Sequence, residues 1–239
     1  MSLSSSKRSE KQTRLPKPYY QAHGITIYHG DALTILPLID PSTVDLLLTD
    51  PPYGINYRTS SSRGLAVGGI APSCDWDPIV GDDEPFDPTP LLRFPRLALF
   101  GANYYAHRLP VSPSWIVWDK VDGLPSKRDI GFNNGADGEL VWTNLGGPLR
   151  ILHHRWMGLM KGSEHGQRRC HPTQKPIELM AQIIDWRTEA SQLILDPYMG
   201  SGPIELAAYR LGRKCIGIEI EERFCEVAAR RLDVYVRTL

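Results

Sequence analysis

The chain has 239 residues with 27 basic and 27 acidic side chains, so its formal net charge is zero. This length can bury one sizeable core, and one domain is the default expectation. A neutral balance excludes a uniformly basic nucleic-acid binder, although a local basic face is enough for contact with phosphates. No apolar run is long enough to span a membrane and the start lacks the apolar segment of a signal peptide, so we expect a cytoplasmic protein.

The start of the chain and its cysteines give two further expectations. Residues 1–18 are polar, basic and poor in apolar groups, which predicts a disordered tail ahead of one domain over 19–239. The four cysteines show no paired spacing, and Cys215 and Cys225 fall in a predicted strand and helix, which indicates buried thiols in a reducing cytoplasm. A zinc site built from Cys170 and nearby histidines is conceivable, but the usual paired-ligand spacing is absent, so we predict no metal site.

Strands and helices alternate along the chain, which predicts a mostly parallel α/β sheet. Asp31 is a candidate cap for a short helix that carries Leu33 and Leu36. Gly212 is well placed to end a later helix. Strands are predicted at residues 25–28, 44–49, 97–100, 115–118, 140–143, 193–195 and 215–219. Longer helices are predicted around residues 177–184 and 204–211 and from about residue 221 onward.

Asp50 and the residues after it form the first segment with a recognisable chemistry. The strand predicted at 44–49 is continuously apolar, which is typical of a buried parallel strand, and two prolines cannot continue its ladder. The chain therefore leaves the strand as a stiff turn that holds the Asp50 carboxylate, two carbonyls and the Tyr53 ring. Ligands bind at this end of the strands in open α/β sheets. The groups suit a planar heterocycle that carries an exocyclic amine.

Two more segments follow in the last third of the chain. The first is His171-Pro172-Thr173-Gln174-Lys175-Pro176, and the second is Asp196-Pro197-Tyr198-Met199-Gly200-Ser201-Gly202. Together with Asp50-Pro51-Pro52-Tyr53, in this order, they resemble the amino-methylating DNA methyltransferases of the β group. In that group the catalytic motif comes first, then a target-recognition region, then the cofactor loop. The resemblance covers about residues 22–235.

The glycine loop after residue 195, with a second strand that ends in Glu219, is a nucleotide-binding arrangement. A dinucleotide is one alternative, but Glu205 would stand at the third glycine position, where close helix packing needs a small residue. A carboxylate there would also repel a pyrophosphate. S-adenosylmethionine has no phosphate and carries a cationic sulfonium and an amino group, so acidic side chains suit it.

The resemblance implies a Rossmann-like, S-adenosylmethionine-dependent methyltransferase fold, permuted so that the catalytic motif precedes the cofactor loop. Glu219 would hold the ribose, Asp31 would lie near the adenine unless it is only a helix cap, and Lys175 would close the methionine end. The catalytic residues that it implies are Asp50, Pro51, Pro52 and Tyr53. The cofactor-binding residues that it implies are Asp31, Asp50, Lys175, Asp196, Tyr198, Gly200, Ser201, Gly202 and Glu219.

Residues 119–170 are rich in Gly, Pro and Ser and are predicted to be an inserted target-recognition region. Trp142 and Trp156 in this region are interpreted as core residues. Positive side chains gather towards its end, and double-stranded DNA is the predicted partner. The predicted DNA contacts are Lys120, Arg150, Arg155, Arg168 and Arg169. A homodimer and a cognate restriction endonuclease stay open as partners, in a bacterial or phage-infected bacterial cell.

The predicted activity is methyl transfer from S-adenosylmethionine to the exocyclic N6 amine of adenine in DNA. In the resembled family, Asp at the first motif position goes mainly with adenine, and Ser goes mainly with cytosine. Two alternatives stay open: a cytosine-N4 methyltransferase and a DNA-binding relative that has lost catalysis. Retention of Asp50, Tyr53, Asp196 and Glu219 argues against the second.

Overall fold

A computed structural model describes residues 14–57, 76–125, 136–157, 160–165 and 170–238 of the chain. Residues 1–13 of the predicted tail and Cys74 lie outside the described residues. Residues 14–18 are described and carry no regular secondary structure. None of the helices in the described ranges has both the length and the apolar character that a membrane span requires.

A nine-stranded mixed sheet forms the centre of the fold. In chain order its strands are β1 (Tyr20–Ala22), β2 (Ile25–His29), β3 (Leu46–Thr49), β4 (Leu97–Phe100), β5 (Trp115–Asp119), β6 (Gly138–Thr143), β7 (Arg150–His153), β10 (Leu193–Asp196) and β11 (Lys214–Glu219). The spatial order is β1-β2-β11-β10-β3-β4-β6-β5-β7. Every pairing from β2 to β4 is parallel, whereas β1 and β6 run antiparallel to their neighbours. A separate antiparallel ribbon pairs β8 (Trp156–Met157) with β9 (Met160–Lys161).

Five α-helices accompany the sheet in the described ranges: α1 (Ala32–Ile35), α2 (Ala102–Tyr105), α3 (Ile177–Arg187), α4 (Pro203–Arg210) and α5 (Glu222–Thr238). The predicted cap of α1 is confirmed, since the Asp31 carboxylate accepts a hydrogen bond of 2.9 Å from the Leu33 backbone N–H. Pro203 lies in the first turn of α4, where its missing N–H costs no helical hydrogen bond. Gly212, with φ of +68°, follows the end of α4 as predicted.

The centre of the sheet is covered on both faces, which explains why its strands are continuously apolar. Leu46 and Leu48 pack into one hydrophobic cluster, while Leu47, pointing the other way, packs into a second. Full burial of such a leucine contributes about 1.5–3 kcal/mol. Trp142 and Trp156 are also buried, which confirms their interpretation as core residues. Cys215 and Cys225 are buried free thiols, as predicted.

The carboxyl ends of β3, β10, β11 and β2 lie side by side, because these four strands are consecutive parallel neighbours. Asp50 directly follows β3, Asp196 ends β10 and Glu219 ends β11. A hydrogen bond of 2.6 Å from the Thr49 hydroxyl to the Asp196 carboxylate joins two of these strand ends. One edge of the sheet therefore gathers acids that are far apart in sequence.

Candidate active site

A cavity of about 780 Å³ opens at this edge of the sheet. It brings together most of the side chains that the sequence singled out. The lining includes Asp31, Asp50, Pro51, Pro52, Tyr53, Lys120, Lys175, Tyr198, Gly200 and Glu219. Asp196, Ser201 and Gly202 do not line the cavity. They lie directly behind its wall, in β10 and in the loop that leads into α4.

At one end of the cavity, Asp50 is held by two groups. Its Oδ2 atom lies 2.5 Å from the Lys175 ammonium, and its Oδ1 atom accepts a hydrogen bond from the Tyr53 hydroxyl. Burial raises the pKa of Asp50, and the positive charge of Lys175 opposes that rise. Lys175 therefore faces the carboxylate of the Asp-Pro-Pro-Tyr segment, and its predicted contact with a cofactor stays a prediction.

A second carboxylate, Glu139, completes this group, although it belongs to none of the sequence motifs. Glu139 lies in β6, forms an ion pair with Lys120, and places its Oε2 atom 3.4 Å from the Lys175 ammonium and 3.3 Å from the Tyr53 hydroxyl. Burial opposes its charge, yet Lys175 and Lys120 hold the pKa of Glu139 below its ordinary value. Asp50, Lys175, Glu139 and Lys120 thus form a chain of alternating charge, and the Tyr53 hydroxyl contacts the first three of them.

The chain that follows Tyr53 is fixed by another acid, Asp82. Its buried carboxylate accepts backbone N–H groups from Tyr53 and Gly54 at 2.9 Å and from Tyr57 at 2.6 Å. Charge-assisted hydrogen bonds of this kind are stronger than neutral ones. Asp82 therefore holds the end of the Asp-Pro-Pro-Tyr segment in one conformation, although the sequence showed it only as part of an acidic run.

The Tyr53 ring lies between backbone and a second ring. It packs against Gly101, which has φ of +67° and no room for a Cβ atom beside the ring. Its face stacks on Tyr104, with ring centroids 5.3 Å apart and an interplanar angle of 18°. Tyr104 is half exposed in the cavity wall. A flat surface of aromatic carbon is thus present beside the Asp50 carboxylate.

At the other end of the cavity, acids order the glycine loop. The Glu219 carboxylate accepts the Gly200 N–H at 2.8 Å, and Asp196 accepts the Tyr198 N–H at 3.1 Å. The Ser201 hydroxyl oxygen accepts a hydrogen bond of 3.1 Å from Arg231, so this side chain points away from the cavity. Burial raises the pKa of Glu219 as well. These carboxylates shape the loop in addition to any contact that they make with a ligand.

His171 closes over this loop. Its ring packs edge to face against Phe224, with the ring centroids 4.4 Å apart. The imidazole also lies close to Gly200, where an added Cβ atom would be 3.4 Å from its Nε2 atom. Burial, and then the positive charges of Lys175 and Arg223, lower the pKa of His171 to about 3. The imidazole is therefore neutral at physiological pH and acts as a packing group against the loop.

The predicted DNA-contacting residues are placed in different surroundings. Lys120 is partly buried in the cavity wall beside Glu139, whereas Arg150 is exposed at the start of β7. Arg155 is half-buried, with its guanidinium 3.9 Å from Asp122. Arg168 and Arg169 lie outside the described residues. Within the described part of the chain, no group of three or more His, Cys, Asp or Glu side chains is arranged to hold a metal ion.

Asp196 gives a prediction about stability. Burial raises its pKa from 3.8 to about 7, so between these values the folded protein holds a proton that the unfolded chain releases. The free energy of unfolding should therefore fall as pH rises through this window. In Asp196→Asn the fall should be shallower by about 1.4 kcal/mol for each pH unit in this window, measured by denaturant titration of the cofactor-free protein. An unchanged slope would mean that folded Asp196 is already ionised at low pH.

Comparison with known proteins gives a consistent group of relatives. Residues 141–230 match the family model for N6/N4 methyltransferases, described as DNA methylase. The type II methyltransferase M2.LlaDCHI of Lactococcus lactis subsp. cremoris is 26% identical over 269 residues, which covers 92% of this chain and 93% of that protein. M2.DpnII of Streptococcus pneumoniae is 26% identical over 255 residues, with 92% and 93% covered.

Solved structures share the fold. A complex described as M1.HpyAVI–SAM aligns with a TM-score of 0.56 at 25% identity, covering 87% of this chain and 99% of the other. The cytosine-N4-specific PvuII DNA methyltransferase aligns with a TM-score of 0.58, covering 96% and 95% of the two chains. Its identity of 16% carries the fold alone. The α/β fold with a mostly parallel central sheet is therefore that of S-adenosylmethionine-dependent DNA methyltransferases.

Proposed function

We propose that this chain, which belongs to the N6/N4 family of amino DNA methyltransferases, transfers a methyl group from S-adenosylmethionine to the exocyclic N6 amine of adenine in DNA. The observation that carries the proposal is the Asp50 carboxylate, partly buried beside the Tyr53 ring at the carboxyl end of a parallel strand. Adenine is favoured over cytosine because Asp stands at the first position of the motif. The relatives that are named type II methyltransferases support a role in DNA modification.

The described groups fit S-adenosylmethionine. Asp31 and Glu219 line the cavity near the glycine loop, where carboxylates can accept hydrogen bonds from hydroxyl groups and attract a cationic ligand. The two lysines of the lining, Lys120 and Lys175, are each already paired with a carboxylate at the opposite end. These paired lysines do not provide a free positive charge for a phosphate, so the cavity suits a nucleoside that carries a positive charge better than a nucleotide.

When bound, S-adenosylmethionine would supply a methyl group from its cationic sulfur, and the sulfur would keep the electron pair of the broken S–C bond. The amine nitrogen would bond to the methyl carbon and release one proton. The residues of this chain must bind and orient the amine for that step. A base inside a duplex cannot reach a carboxylate in this cavity, so it has to be extruded, and the stacked pair of Tyr53 and Tyr104 offers it an aromatic surface. Asp50 and the Pro51 carbonyl then accept the hydrogens of the amine, which directs its lone pair away from them.

The proposal is tested by single-molecule sequencing of DNA from a host that lacks its own DNA methylation and expresses this chain. We expect N6-methyladenine at one short recurring sequence, and no such signal in the same host expressing Asp50→Ala. N4-methylcytosine at a recurring sequence would replace adenine by cytosine as the target. Unmodified DNA, from a host in which the folded chain is abundant, would contradict the proposed activity altogether.

DNA contact by Arg168 and Arg169 remains a proposal. Because each neutralised phosphate releases counterions, log affinity falls with log salt by about 0.9 for each contact. Replacing both arginines with alanine should lower DNA affinity and flatten this slope by about 2, measured by fluorescence anisotropy at several salt concentrations. Arg230→Ala with Arg237→Ala on α5 removes the same charge and should leave the slope unchanged. An unaltered slope in the first variant would show that these arginines face away from DNA.

A further inference from the structure

The second carboxylate of the cavity, Glu139, has no role in the chemistry described so far. It comes from β6, the strand inserted antiparallel between β4 and β5, whereas Asp50 follows the parallel strand β3. Lys175 lies between them, 2.5 Å from one carboxylate and 3.4 Å from the other. The Tyr53 hydroxyl likewise donates to Asp50 and lies 3.3 Å from Glu139. The two groups that donate hydrogen bonds to Asp50 therefore both have Glu139 within reach as a second acceptor.

This arrangement matters because both oxygens of Asp50 already accept hydrogen bonds, one from Tyr53 and one from Lys175. An amine that binds Asp50 has to share those oxygens with two donors. Buried donors without an acceptor are costly, so they cannot simply be displaced. Glu139 offers both donors a replacement bond at almost no change in position.

We propose that Glu139 is a positioning residue of the methyl transfer, which takes up the Tyr53 hydroxyl and the Lys175 ammonium when the exocyclic amine engages Asp50. The inference rests on the proposed transfer to an exocyclic amine and holds for adenine and cytosine alike. Lys120 has a separate part, since its ion pair with Glu139 fixes the charge and direction of that carboxylate. Asp50 then has oxygen lone pairs free for the amine and for the proton that the amine releases.

The proposal predicts a change in pH dependence, because Glu139 is a negative charge near Asp50. The titratable groups that face Asp50 from the surrounding elements are Tyr53, Tyr105, Lys120, Glu139, Lys175 and Asp196. Glu139 raises the pKa of Asp50. Glu139→Gln therefore lowers the pH at which Asp50 becomes protonated, and the acid limb of the rate profile moves to lower pH.

The test is single-turnover transfer of labelled methyl groups to DNA from the unmethylated host, with enzyme in excess, between about pH 5 and pH 9. We expect Glu139→Gln to slow transfer about 10- to 100-fold, with its acid limb about one pH unit lower and its cofactor affinity within about threefold of wild type. In Glu139→Gln the Lys120 ammonium loses its carboxylate partner. A double variant, Glu139→Gln with Lys120→Met, removes this unpaired ammonium as well. The double variant should stay slow, with an acid limb near that of wild type, because two opposite charges have been removed together.

Recovery of the rate in the double variant would overturn the proposal, because Glu139 would then only neutralise Lys120. A normal rate in Glu139→Gln, or a slow rate with an unshifted acid limb, would overturn it as well. Carboxyl ¹³C shifts of aspartate-labelled protein, assigned with Asp50→Asn, measure the pKa of Asp50 without any transfer. If wild type transfers no methyl group to DNA, the proposed function fails, while an unshifted Asp50 titration in Glu139→Gln counts against this inference separately.

Discussion

Asp50→Ala is expected to lower the single-turnover rate constant for methyl transfer by about 100- to 1000-fold, the usual cost of removing one preorganised polar group from a reacting centre. Affinity for S-adenosylmethionine should stay within about threefold, because the carboxylate faces Tyr53 and Lys175 while the glycine loop is ordered by Asp196 and Glu219. A loss in the rate constant without a loss in binding marks an interaction that matters most in the transition state. Labelled-methyl transfer and calorimetric titration of the cofactor measure the two quantities.

Asp50→Asn is the matched control for this prediction. It keeps the shape and one acceptor oxygen but removes the charge, so transfer should fall by less than in the alanine variant. Thermal unfolding of both variants would show whether Lys175, left with Glu139 as its remaining carboxylate, destabilises the fold. Near-normal transfer by Asp50→Ala would remove this carboxylate from the chemistry.

The central strands and the longer helices could be predicted because local pattern and tertiary surroundings agree in them. The run through Leu46, Leu47 and Leu48 is apolar at every position since both faces of β3 are buried. Ile177 begins α3 directly after a proline, and Gly212 follows α4 in the left-handed conformation. In such segments the residues that are adjacent in sequence specify the same structure as the tertiary contacts do.

The outer strands could not be predicted from pattern. The three residues of β1 are only partly covered, and β7 is largely exposed, so neither shows a buried face from which alternation could be read. The helix α2 follows Gly101 and has only four residues, which is too short for a helical period to appear. The place of β7 is set by its pairing with β5, which lies far away in sequence.

The sequence predicts the residues of the candidate site that share one motif, but it does not predict those that only the fold brings to the motif. Asp50 and Tyr53 are neighbours in sequence, but Glu139 reaches them only because β6 pairs with β4 beside β3. A lone acid in a strand is usually solvated, so nothing in the sequence separates Glu139 from a surface residue. The ion pair between Lys120 and Glu139 cannot be seen in the sequence either, and the DNA contact expected of Lys120 stays a prediction.

Gly101→Ala should slow methyl transfer strongly without replacing any of the predicted catalytic residues. The new Cβ atom would overlap the Tyr53 ring, and the ring would have to move away from Asp50 and Tyr104. A displacement of about 1 Å at a reacting centre can cost about 100-fold in rate, and we expect a loss of this size in single-turnover transfer. Cofactor affinity should change little, because the glycine loop lies at the other end of the cavity.

Gly212→Ala separates this effect from backbone strain. Gly212 has φ of +68° against +67° at Gly101, but a Cβ atom there meets nothing within 4 Å. Both variants carry the same penalty of about 1–2 kcal/mol for an alanine in the left-handed conformation. This penalty should lower the unfolding midpoint of both variants by a similar amount, and any steric cost at Gly101 adds to it in Gly101→Ala alone. Only Gly101→Ala should lose transfer, because only there does the added methyl group reach Tyr53. Equal activity in the two variants would mean that the Tyr53 ring can leave its place beside Gly101 without harm, and the stacking surface would then have to be sought elsewhere in the cavity.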